Sequence, residues 1–204
     1  MNKTFDLADI LDAAVFAAEK HQGHVRKNSR HSPYITHPLL VTKIIYQEGE
    51  IQDPIILFAA ILHDTIEDTD TTRDEIKERF GEDVLSIVLE VTDDKSMPKM
   101  ERKRHQVAHA PELSYKARIV KLGDKLINCR DILNHPPADW TLKRRQDYIQ
   151  WGADVLFQIR GTNPQLEAAF DRVMTRAEME LGYLIEPFST VNNRPWGPEY
   201  EKGS

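Results

Sequence analysis

The stretch "DPIILFAAILHDTIEDTDTT", Asp53 to Thr72, constrains the fold more than any other part of the chain. After Asp53-Pro54, a helix start signal, the residues up to His63 are apolar almost without a break, so this helix has no face to offer water and must be wrapped by other elements. Those elements also read as helices, because no period-two alternation is long enough to make a sheet of any size. The expected fold is therefore all-α, a single-domain helical bundle.

The flanking pattern supplies the other helices. A first helix is expected over about Phe5 to His21, with Leu7, Ile10, Leu11, Ala14, Val15 and Ala18 on one face. Thr36 is expected to cap a second helix, with Pro38 in its first turn. Thr72 and Glu75 form a capping-box pattern for a short helix closed by Phe80-Gly81. Helices over about Glu82 to Thr92 and Pro98 to His109 follow. Ser114 caps a long helix whose buried stripe is Ile119, Leu122, Leu126 and Leu133. The last two are expected from about Trp140 to Arg160 and from Asn163-Pro164 to Leu181-Gly182. Residues 183–204 lose periodicity and read as an irregular extension to a domain spanning 1–182.

Composition narrows the function classes. A length of 204 residues, 40% hydrophobic and 29% charged, fits one globular domain. The net charge of −6 disfavours a general nucleic-acid binder, which must neutralise many phosphates. Basic residues cluster in "HVRKNSR" and "DDKSMPKMERKR", so a small phosphate-bearing ligand is compatible with the acidic whole. No apolar run reaches the roughly 18 to 20 residues of a membrane span, and the amino terminus lacks an apolar signal-peptide region. A cytoplasmic protein with no membrane partner is expected. One cysteine, Cys129, allows neither an internal disulfide nor a cysteine-rich zinc site, so any metal must rest on histidine and carboxylate.

The acid-rich end of the apolar helix is where such a site would form. His63 and Asp64 are adjacent, so on a helix they point about 100° apart and converge on one ion only at a fraying end. Glu67 and Asp68 lie one turn on, and a continuing helical turn would stack all four side chains over one patch. Such a patch against an apolar helix requires a compensating cation or proton; the plainer reading is a solvated acidic terminus. His37 in "YITHPLL" and Asp124 in "KLGDKLIN" are each ordinary as core or capping residues. Together with His63-Asp64 they complete a nitrogen and oxygen set suited to Mn²⁺, Fe²⁺ or Zn²⁺ rather than Ca²⁺. His105 and His109 read as a surface pair, His21, His24 and His31 as solvent-exposed or phosphate-facing, and His135 as a turn residue. Around Asp124, spacing places Lys121 and Asn128 on its face. Trp140, Arg144 and Tyr148 form a row able to stack a base and meet a phosphate, or else a core-facing Trp and Tyr with a surface Arg.

The motifs "YITHP", "AAILHDTIEDTDTT", "EVTDDKSMPKMERKR" and "VKLGDKLINCRD", in this order and spacing, resemble the hydrolase domain of the RelA/SpoT family, a branch of the HD-domain metal phosphohydrolases. The resemblance spans about Leu11 to Leu181. Without room for synthetase and regulatory domains, the chain is most similar to the stand-alone small alarmone hydrolases, including metazoan SpoT homologues. The resemblance implies an all-α HD domain and one Mn²⁺ on His37, His63, Asp64 and Asp124. It assigns Glu67 and Asp68 to activating and orienting the attacking water. It places nucleotide contacts at Arg26, Lys27, Lys99, Asn128, Trp140, Arg144 and Tyr148. The implied reaction is hydrolysis of the 3′-pyrophosphate of guanosine tetra- or pentaphosphate to GDP or GTP and pyrophosphate. Alternatives are an NADPH 2′-phosphatase using the same site, a non-catalytic nucleotide sensor, and an acidic interaction module without metal. The chain departs from the family wording "KLADKLYNLRD" at Gly123, Ile127 and Cys129, which puts pocket shape or substrate preference in question. Spacing and resemblance leave oligomeric state open.

Overall fold

A computed structural model describes residues 6–186. Its elements are α1 (Leu7–Lys20), α2 (Thr36–Gln47), α3 (Pro54–Leu62), α4 (Thr65–Asp68), α5 (Arg73–Phe80), α6 (Glu82–Val91), α7 (Lys99–His109), a 3₁₀ turn (Ala110–Glu112), α8 (Tyr115–Asn134), α9 (Leu142–Gln158) and α10 (Pro164–Leu181). Among the described residues the sole β feature is one isolated antiparallel bridge, Val25 to Pro33. The fold is all-α.

Start signals act largely where the sequence places them. Asp53 accepts a hydrogen bond from the Ile55 amide with Pro54 behind it, Thr72 and Glu75 complete a capping box, and Ser114 and Asn163 cap α8 and α10. Two starts differ. Ile35, not Thr36, occupies the α2 cap position, and the Thr36 hydroxyl donates to the Pro33 carbonyl at 2.8 Å. Helix α9 begins at Leu142 behind a Thr141 cap, so Trp140 precedes the helix.

The apolar run is buried as its composition demands. Ile56, Phe58, Ala59, Ala60, Ile61 and Leu62 of α3 are all in the core, and α3 packs against α1, α2, α6 and α8. Helix α8 is the second axis, buried on nearly all sides from Ala117 to Leu133. The face expected for α1 is only partly the buried one, with Ile10 packed against the core. Leu7, Leu11 and Val15 are 72%, 57% and 56% exposed, while Ala13, Phe16 and Ala17 face the core. Helix α1 has apolar residues over two arcs, and Phe16, packed edge-on against Phe80, settles which one is buried. Residues 183–186 are irregular, and the rest of the expected extension lies outside the described residues.

Candidate metal centre and nucleotide cavity

Helix α3 stops at Leu62, and His63 and Asp64 form a turn before α4. This turn is the helix end at which the sequence allows His63 and Asp64 to converge, and a short helical turn, α4, carries Glu67 and Asp68 on from it. With an unbroken helix the two side chains would diverge by about 100°; here both reach the same space. His37 enters from the first turn of α2 and Asp124 from the middle of α8. One donor atom from each of His37, His63 and Asp124 lies within 4.8 Å of the others. Asp64 Oδ2 is 3.6 Å from His37 Nε2 and 3.1 Å from His63 Nε2, and His37 Nε2 is 3.1 Å from Asp124 Oδ1.

This cluster fits a divalent cation. His63 Nδ1 lies 2.9 Å from the Ala60 carbonyl, which can only accept, so Nδ1 carries a hydrogen and Nε2, the atom that takes either a proton or a cation, faces the carboxylates. Although Asp64 is close, it is not aligned for a hydrogen bond, so buried Nε2 has no hydrogen-bond partner. A buried imidazole held in this tautomer by a carbonyl is the arrangement of a metal ligand. Burial alone would lower the His63 pKa, yet the negative charges of Asp64 and Asp124 push it to about 9. His37, desolvated by burial and near Arg26, stays lowered despite the Asp124 and Asp64 carboxylates. Both carboxylates are held below their usual range against the cost of burial, Asp64 by His63 and His37, Asp124 by Lys125 and His37. The site thus demands positive charge, and in the absence of a cation His63 supplies it as a proton.

Glu67 and Asp68 sit one turn on, in α4. Glu67 Oε2 accepts the Asp93 amide at 3.0 Å, and burial followed by the charges of Asp93, Asp64 and Asp68 pushes its pKa to about 7. Asp68 accepts from the Tyr34 hydroxyl at 3.1 Å and from Lys95. The same hydroxyl lies 2.7 Å from Asp64 Oδ2, so Tyr34 ties the candidate ligand to the candidate water-handling pair. Sequence reasoning missed Tyr34, though it stands within the quoted "YITHP". His21 was misplaced. It is 3% exposed, not in solvent, and stacks against Tyr34 at 4.7 Å.

A cavity of about 1070 Å³ adjoins this centre. Seven of the eight residues expected to bind substrate line it: Arg26, Lys27, Lys99, Asn128, Trp140, Arg144 and Tyr148. Lys121 does not. Its ammonium is buried and donates to the Val91 carbonyl at 3.0 Å, while Lys125 donates to Asp124 Oδ2 at 3.1 Å. Spacing pointed to the wrong lysine because neighbours along α8 can reach across to the same carboxylate. Asn128 donates to Asp124 Oδ1 and accepts from Arg26 at 3.0 Å, so one amide links cavity to metal centre. The loop bearing Arg26 is anchored by Asp131, which pairs with Arg26 at 2.9 Å and accepts from buried Asn28. Arg144 lies 4.5 Å over the Trp140 ring, and Trp140 packs on Tyr148 at 5.3 Å.

An all-α bundle with a buried two-histidine, two-aspartate centre at a break after its central helix defines a metal-binding helical hydrolase-like class. The HD domain family model matches residues 13–149. A Xenopus tropicalis protein named guanosine-3′,5′-bis(diphosphate) 3′-pyrophosphohydrolase MESH1 is 54% identical over 168 residues, covering 82% of this chain and 94% of that one. The human protein of that name is 50% identical, covering 86% and 98%. A solved structure described as "A metazoan ortholog of SpoT hydrolyzes ppGpp and plays a role in starvation responses" matches with a TM-score of 0.81 at 40% identity, covering 85% of this chain and 98% of that one. The chain belongs to the HD-domain family, in the group of the MESH1 pyrophosphohydrolases. No helix among the described residues is long and apolar enough to cross a membrane.

Proposed function

We propose that this protein hydrolyses the 3′-pyrophosphate of guanosine tetra- or pentaphosphate, releasing GDP or GTP and pyrophosphate. The observation that carries the reading is the junction of the two half-sites. Tyr34 and Asn128 line a cationic and aromatic cavity and at the same time hydrogen-bond the Asp64, Asp68 and Asp124 carboxylates of the metal centre. The names and identities of the relatives point to the same substrate.

His37, His63, Asp64 and Asp124 would hold one divalent ion, Mn²⁺ by family resemblance, with Fe²⁺ and Zn²⁺ also suited to this donor set. When bound, such an ion supplies Lewis-acid polarisation of a phosphate oxygen and favours ionisation of water. The protein's own groups do the rest. Glu67, with a pKa near neutrality, accepts the proton of the attacking water, and Asp68, fixed by Tyr34 and Lys95, orients it. Water adds across the bond between the ribose 3′-oxygen and the diphosphate. Arg26, Lys27 and Lys99 offset phosphate charge, while the Trp140 and Tyr148 rings with Asn128 form the surface for the nucleoside.

The test is release of pyrophosphate by the purified protein with Mn²⁺ and guanosine tetraphosphate, with NADPH assayed beside it. Asp64→Ala is expected to abolish turnover; activity surviving that change, or phosphate release from NADPH alone, overturns the reading.

A further inference from the structure

Helix α7 contributes Lys99, Met100 and Lys103 to the cavity wall. Lys99 and Lys103 are four residues apart and share a helix face. Three cations around this cavity have a carboxylate partner: Arg26 has Asp131 at 2.9 Å, Arg144 has Asp139 at 3.8 Å, and Lys143 has Asp147. Lys103 differs. Its ammonium lies 4.8 Å from the Trp151 ring centre and 5.3 Å from that of Tyr148, and among the described residues no carboxylate forms an ion pair with it. Two aromatic faces hold the cation by its charge, yet leave its three N–H donors without an anionic acceptor.

We propose that Lys103 is a substrate-binding residue, whose ammonium takes a phosphate oxygen of the polyphosphorylated nucleotide in this cavity. The inference rests on the functional reading above and extends it to a residue outside the contacts implied by the family resemblance.

The groups facing Lys103 come from three helices. Lys99 lies on its own helix, Lys125 on α8, and Arg144 and Asp147 on α9. Three cations oppose one carboxylate, and Asp147 already pairs with Lys143. Burial, then Lys99 and Lys125, push the Lys103 pKa down to about 7. The free amine is therefore half protonated near neutrality. A phosphate favours the charged form, so binding takes up a proton, and this contribution to affinity is present below pH 7 and weakens as pH rises above it.

Steady-state kinetics on guanosine tetraphosphate with Mn²⁺, at pH 6.5 and 8.5, test this with wild type, Lys103→Met and Lys103→Arg. At pH 6.5 Lys103→Met is expected to raise KM about tenfold, with kcat within about twofold. At pH 8.5 wild type and Lys103→Met converge, because the wild-type amine is then neutral. Lys103→Arg, cationic at both values, is expected to bind more tightly than wild type at pH 8.5. A Lys103→Met KM equal to wild type at pH 6.5, or a difference that pH does not change, overturns the proposal. Should Lys103→Met fail to fold, Lys103→Arg decides alone, and a KM equal to wild type at pH 8.5 overturns it. Wild type without turnover sinks the functional reading instead; calorimetric titration of the same proteins with inorganic pyrophosphate then reads the same pH pattern directly.

Discussion

At Asp64 Oδ2, two imidazole nitrogens and the Tyr34 hydroxyl meet within 3.6 Å. A phenol carries one hydrogen, so Tyr34 serves either Asp64 or Asp68 at a given moment. Tyr34→Phe is expected to weaken Mn²⁺ binding about tenfold, as loss of a partner outside the ligand set does, and calorimetric titration with Mn²⁺ measures it; an unchanged Kd removes Tyr34 from support of the centre. For Glu67 in its proposed role of base, the sign is set by the carboxylate being the form that accepts the proton. Its pKa of about 7 places the acid limb of kcat/KM near neutrality for the centre without a cation, and a bound cation, which favours the carboxylate, moves that limb lower. Glu67→Gln is expected to cost about 10²–10⁴ in kcat. Asp70, its side chain 88% exposed and paired among the described residues with Lys20 alone, at 3.1 Å, is expected to be the acid of this stretch that activity does not need. Asp70→Ala should leave kcat/KM within about twofold, since a surface pair contributes ~0–1 kcal/mol.

At the scale of elements, the approach of α2 to α8 sets where His37 meets Asp124. Gly123, a departure from the family wording, is explained by that approach. A Cβ there would lie 2.9 Å from two carbons of the Ile45 side chain and 3.2 Å from Val41 Cγ1, and Ile45 is fully buried. Alanine would gain roughly 1 kcal/mol of helix propensity but incur overpacking of about 1–3 kcal/mol. Gly123→Ala is therefore expected to be net destabilising by up to about 2 kcal/mol in denaturant unfolding, and adding Ile45→Val should recover most of the loss. Additive effects of the two substitutions would show that the contact is not the cause. The apolar run, the caps at Asp53, Thr72 and Ser114, and the α8 stripe were legible because each is a local pattern. The buried face of α1 was not, since apolar residues on two arcs leave the choice to its neighbours.

For the whole molecule, two central helices and a turn create a centre whose carboxylates demand a cation, so binding one is linked to stability. At Mn²⁺ about 100 times its Kd the linkage amounts to about 2.7 kcal/mol, or roughly 5–10 °C in Tm for a domain of this size. Thermal unfolding with and without chelator is the measurement. Asp64→Ala should lose the shift, and a wild-type Tm indifferent to Mn²⁺ would exclude this cluster as a metal centre.

The sequence by itself determined that the chain is all-α, because an unbroken apolar helix and repeated cap signals are properties of neighbouring residues. It also singled out His37, His63, Asp64 and Asp124 as a donor set. Only the tertiary structure decided that Lys125 rather than Lys121 meets Asp124, that Tyr34 bridges Asp64 and Asp68, and that His21 stacks on Tyr34 instead of facing solvent. These depend on what packs around each residue, as when the Val91 carbonyl of α6 takes the Lys121 ammonium and leaves Lys125 to Asp124, and spacing along a single helix carries no information about those neighbours. The exposed arc of α1 and the Lys103 ammonium, which among the described residues meets aromatic rings rather than a carboxylate, have the same origin: burial and pairing are fixed by the helices that pack around a residue.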